Sequence, residues 1–103
     1  MIIYNVTVNV SDDIHDKWLS WMKDDHIPKV LSTKFFQSAT INRIISNRDT
    51  GTTYAIAYKT DSLSSLQMYE AKFAPKLREE YLAKFSNDAP AFRTIMEEIE
   101  ELN

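Results

Sequence analysis

Residues 2–10 read IIYNVTVNV and divide into two sets. Ile2, Tyr4, Val6, Val8 and Val10 alternate with Ile3, Asn5, Thr7 and Asn9. Period two held over nine residues predicts a β-strand. One face of this strand is wholly apolar and has to meet helices. The other is mostly polar and suits solvent or a wet pocket.

Directly after this strand the period changes. Ser11 or Asp12 is placed to cap a helix, and the acidic residues at 12 and 13 suit its positive N-terminal end. Ile14, Trp18, Trp21, Met22 and Asp25 then recur at helical spacing. Pro28 cannot sit deep in one continuous helix without removing a hydrogen bond. The helix is therefore expected to stop or kink near His26, with a last turn over 28–31.

A second strand is predicted over 35–46. Its core side is ambiguous, because Phe35, Ala39, Ile41 and Ile45 compete with Phe36 and Ile44. A turn over 47–51 holds the only glycine of the chain, Gly51. Residues 52–60 form a third strand, with Tyr54, Ile56 and Tyr58 on one face and Ala55 and Ala57 on the other, so that 35–60 reads as a hairpin. Asp61 or Ser62 caps a second helix, whose stripe is Leu63, Leu66, Tyr69, Glu70, Phe73, Leu77 and Tyr81. Pro75 predicts a kink or break at Ala74. The fourth strand is expected over 90–99, with 97–102 open to a terminal helix instead.

The order strand, helix, strand, strand, helix, strand is that of an α+β, ferredoxin-like βαββαβ fold. It is read as a single domain over residues 1–103. The antiparallel four-stranded sheet carries two helices on one face and leaves the other bare. A second sheet is the simplest cover for a bare face, which predicts a homodimer. The chain has 103 residues, of which 44% are hydrophobic. That suffices for one core with limited reserve, so pairing would add useful burial.

Composition excludes several function classes. With no cysteine there are no disulfides, thiolate metal sites or cysteine nucleophiles. The net charge of -3 comes with scattered Lys and Arg, which argues against a nucleic-acid surface. The first residues lack the basic start and unbroken apolar run of a signal peptide, and no run approaches the roughly 20 residues of a membrane span. A cytoplasmic protein with no membrane contact is expected. Serines lack a glycine-flanked elbow, and one glycine cannot build a phosphate-cradling loop.

The segment 1–10, followed by Trp18-Leu19-Ser20-Trp21-Met22 and His26-Ile27-Pro28, resembles a bacterial family of domains of unknown function typical of Bacteroidetes. Gly51-Thr52-Thr53-Tyr54-Ala55, Ala74-Pro75-Lys76-Leu77-Arg78 and Ala91-Phe92-Arg93-Thr94 extend the resemblance over nearly the whole length. More distantly, the layout is similar to the dimeric α+β barrel superfamily. That group includes antibiotic-biosynthesis monooxygenases, ethyl tert-butyl ether degradation-type proteins, haem-degrading enzymes and muconolactone isomerases. A His-x-Pro near the end of the first helix recurs in some of its members, and His26-Ile27-Pro28 is similar. The resemblance implies the fold and a dimer, and carries over no established activity.

His26 is the candidate catalytic residue, because imidazole titrates near neutrality and can move a proton. The competing reading is a cation at a helix C-terminus. His15 is expected to face solvent. On one straight helix it would lie about 16 Å from His26, too far for one shared ion, so no metal site is expected. Candidate ligand-binding residues are Trp18, as an aromatic wall; Arg43 and Arg93, as carboxylate partners; and Tyr54 and Tyr58, which share a sheet face. Each also has a plain structural reading as core, ion pair or packing group. Lys72, Lys76, Arg78 and Lys84 beside Glu70, Glu79 and Glu80 read as an ordinary charged helix face.

Two functions stay open. One is a homodimeric module that binds a small apolar or aromatic molecule between sheet and helices. The other is a cofactor-independent monooxygenase or isomerase with His26 as base and Arg43, Arg93 or a tyrosine steadying an anion. Neither calls for a cofactor.

Overall fold

The computed structural model describes residues 1–45, 50–86 and 89–103. The chain runs through strand β1 (Ile2–Val10), helix α1 (His15–Trp21), a wide π turn (Met22–His26), helix α2 (Ile27–Ser32), strands β2 (Ser38–Ile44) and β3 (Thr52–Thr60), helices α3 (Leu63–Lys72) and α4 (Ala74–Phe85), and strand β4 (Ala91–Glu97). The four strands form one antiparallel sheet in the order β2-β3-β1-β4. This is the ferredoxin-like α+β arrangement that the sequence predicts.

Register follows the alternation of β1. Tyr4 lies opposite Tyr58, Val6 opposite Ile56 and Val8 opposite Tyr54. These residues point to the helices with Trp18, Met22, Val30, Leu66, Tyr69 and Leu77, and together they make the core. The ambiguity in β2 resolves in favour of Ala39 and Ile41, which lie opposite Tyr58 and Ile56. Ile44 falls on the other face and Ile45 is 93% exposed. Phe36 enters the core just ahead of the strand. The expected turn over 47–49 lies outside the described residues. Past Glu97 the chain continues without helix, which removes the terminal-helix alternative.

The two prolines within the helices act differently. Pro75 sits in the first turn of α4, and Phe73 leaves helical geometry ahead of it (φ -121°, ψ -35°), so the second helix breaks. Pro28 also sits in a first turn, that of α2, but the backbone before it stays helical. Of the expected stop or kink near His26, the chain takes the second as a π turn, in which the Ile27 amide bonds the Met22 carbonyl five residues back. The lengthened ladder absorbs the missing proline donor.

The opposite sheet face carries Thr40 and Asn42 of β2, Ala55 and Ala57 of β3, Asn5 and Thr7 of β1, and Phe92 and Thr94 of β4. Among the described residues no helix lies over it. The Cα extents of 37 × 36 × 20 Å are those of one sheet with one helix layer.

Candidate functional site

The wide turn places His26. Residues five apart on a regular α-helix point about 140° away from each other. Here Trp21 and His26 stack with ring centroids 5.1 Å apart and planes at 28°. Tyr81 of α4 meets His26 from another side at 5.9 Å. Packed among these rings, the imidazole Nδ1 is buried and has no hydrogen-bond partner among the described residues. Burial lowers the His26 pKa from 6.5 to about 4, against the opposing pull of Asp25 and Glu80. The ring is therefore neutral at pH 7 rather than a cation capping a helix end.

His26 lines a cavity of about 40 Å³ between the sheet and the helices. Tyr4, Tyr58, Tyr81, Arg78 and Arg93 share its wall. By the usual allowance of about 10–15 Å³ per water, it has room for about three waters. Burial raises the pKa of Tyr4, Tyr58 and Tyr81, so these phenols stay neutral. Arg78 donates to the Tyr4 hydroxyl at 3.0 Å and to both Glu70 oxygens at 2.8 and 2.6 Å. Tyr81 accepts from Trp18 Nε1 at 3.0 Å and donates to the Ala89 carbonyl at 2.7 Å. This pair of bonds ties α1 to the segment that enters β4.

The predicted residues thus fall into two groups. His26, Tyr58 and Arg93 meet at the cavity. Tyr54, Arg43 and Trp18 meet elsewhere: Trp18 is fully buried and stacks on Tyr54 at 5.1 Å, and the Arg43 guanidinium sits 5.9 Å above the same ring. The Tyr54 hydroxyl bonds His15 Nε2 at 2.6 Å. His15 is therefore half-buried and engaged, not solvent-facing as expected. Among the described residues no group of three or more His, Asp or Glu is placed to hold a metal ion.

A model for a domain of unknown function, DUF4286, matches residues 1–99. The chain belongs to the DUF4286 family. No curated protein matches it. Solved structures share the DUF4286 fold at low identity. A dimeric ferredoxin-like protein from an uncultured marine organism is 10% identical with a TM-score of 0.77, covering 98% of this chain and 97% of that one. An ethyl tert-butyl ether (EthD) family protein from Bacillus halodurans is 16% identical at 0.68, covering 96% and 100%. A candidate antibiotic biosynthesis monooxygenase from Deinococcus radiodurans is 15% identical at 0.65, covering 100% and 97%. At these identities the likeness is one of fold. Among the described residues no helix is long and apolar enough to cross a membrane.

Sequence reasoning missed Arg78, Tyr4 and Tyr81 as cavity residues. Tyr4 and Tyr81 were legible only as members of apolar stripes. Glu70 carried a signal, as the one charge on the stripe of the second helix. Its partner lies eight residues on, beyond the reach of ordinary helical pairs. The break at Phe73 is what lets Arg78 fold back to it.

Proposed function

We propose that this chain is a homodimeric binding module. Two copies pair through their bare sheet faces, and each receives a small apolar or aromatic molecule between sheet and helices. The supporting observation is the uncovered face, with Ala55 and Ala57 on β3, one of its two central strands, and Phe92, 64% exposed, at its edge. Small central residues let a second sheet approach closely, and the aligned packing of two sheets buries both inner faces. The dimeric ferredoxin-like relative in fold supports the same assembly. Light scattering on the purified chain tests it. A mass of twice 12.0 kDa at micromolar concentration is expected, and a monomer overturns the proposal.

One observation favours a second reading, a cofactor-independent oxygenase or isomerase. His26 is neutral at pH 7 and its buried Nδ1 has no partner among the described residues. A pKa of about 4 makes it a weak base, because proton transfer is best served by a base that titrates near the working pH. An anion beside the ring would raise that pKa and strengthen it. Turnover of an activated aromatic substrate, lost in His26→Ala with the dimer mass unchanged, supports catalysis. Undiminished turnover in the variant excludes His26 as the base.

A further inference from the structure

The small cavity does not stand alone. A cleft of about 290 Å³ adjoins it, and Arg78, Tyr81, Ala91 and Arg93 line both spaces. The other walls differ in character. Inside are His26, three more tyrosines and aliphatic side chains from the core; outside are Leu82, Ser86, Ala89 and Pro90, with Leu82 58% exposed. Two arginines therefore stand where a narrow space meets a wider one.

The two cations are not equivalent. Arg78 is matched by the Glu70 carboxylate at 2.6 Å. Arg93 makes no ion pair among the described residues. Its charge is nevertheless felt across the cavity, where it favours ionisation of Tyr4, Tyr69 and Tyr81 and opposes protonation of His26. Among the described residues the site thus holds one positive charge outside any ion pair, a neutral imidazole with an unpartnered nitrogen, and a wider vestibule edged by Leu82 and Pro90. A guanidinium in such a place is suited to bidentate recognition of a carboxylate. The inner space takes a head group of two or three heavy atoms, and the outer cleft has the volume for a ring or a short chain.

We propose that these joined cavities bind a small monocarboxylic acid with an apolar or aromatic body, its carboxylate held by Arg93 at the junction and its body lying in the outer cleft against Leu82 and Pro90. This deepens the binding-module reading and rests on it. One unmatched cation calls for one negative charge. A dicarboxylate would bring a second charge that meets only the already paired Arg78.

Calorimetric titration of the full chain with benzoate and hexanoate, each compared with its amide, tests the proposal. Both acids are expected to bind at least tenfold more tightly than benzamide and hexanamide. Arg93→Gln is expected to weaken the acids at least tenfold and leave the amides unchanged. Lys84→Gln removes an exposed charge from the same helix layer, outside both cavities, and is expected to change nothing. Acid and amide binding alike, acid affinity surviving in Arg93→Gln, or a dimer that binds neither acid each overturns the proposal. None of these outcomes bears on pairing, which fails separately if light scattering returns a monomer.

Discussion

The ring of His26 lies against that of Trp21, 5.1 Å away, though the two stand five positions apart on one helical rod. The π turn between α1 and α2 makes this contact, and the contact keeps the imidazole out of water. A neutral ring in the folded state and an ordinary one in the unfolded state differ in proton affinity. The folded pKa is about 4 and the unfolded value 6.5. Between these limits the unfolded chain binds more protons, so stability rises with pH through this window. The contribution is fully present above pH 6.5 and is lost as pH falls toward 4, by roughly 3 kcal/mol. Urea denaturation at pH 7, 5 and 4 is expected to show this fall in the parent, and a smaller fall in His26→Phe. Equal falls in both would show that His26 does not titrate as described.

Gly51 opens β3 with φ +75°, in the left-handed region. A Cβ built there would stand 2.5 Å from the Val10 carbonyl oxygen, a backbone atom of the neighbouring strand. Neither the conformation nor the neighbour can give way cheaply. Gly51→Ala is expected to destabilise the fold by about 2 kcal/mol or more, read as a shift of the denaturation midpoint at unchanged slope. A neutral effect would mean that the Val10–Thr52 end of the ladder can rearrange.

Trp18 anchors the core and a polar relay together. Its indole is fully buried and its Nε1 donates to Tyr81, which in turn donates to Ala89. Trp18→Phe keeps much of the burial but removes the donor, for an expected loss of about 2 kcal/mol. Trp18→Ala is expected to lose about 3–5 kcal/mol, a large part of the stability of a domain this size. Thermal unfolding followed by circular dichroism separates the two. If Trp18→Phe were as damaging as Trp18→Ala, the relay rather than the packing would dominate.

The sheet was legible because β1 and β3 each bury one face, so alternation alone set which side chains meet the helices. β2 was not, because Phe36 packs into the core before the strand begins and carries no information about its phase. The prolines show a different limit. Local chemistry says that Pro28 and Pro75 each interrupt a hydrogen-bond ladder. It does not say whether the chain widens or breaks. Met22 and Val30 are both buried on the same rod, and a wide turn between them keeps both on the sheet side. Phe73, 39% exposed, is free to leave helical geometry. The cavity was half visible for the same reason. His26, Tyr58 and Arg93 stand out by residue type, whereas Arg78 reaches the site only through the break at Phe73. Tyr54 and Arg43 looked equally suited to a ligand, yet they lie with Trp18 and His15 at a separate cluster.

Pairing through the bare face makes a prediction at its centre. Ala57 lies on β3 between Asn5 of β1 and Thr40 of β2, on the side away from the helices. In a lone copy a longer side chain here extends into solvent and touches no part of the core. In a pair of stacked sheets it enters the space between them. Ala57→Glu is therefore expected to leave the helical circular dichroism unchanged and the stability of the isolated fold within about 1 kcal/mol. It would also bring buried like charges into the interface, a juxtaposition that costs several kcal/mol. The light-scattering mass should fall from that of two chains to that of one. A folded variant that remained dimeric would move the interface off this face, and with it the reason for reading the sheet as half of a larger assembly.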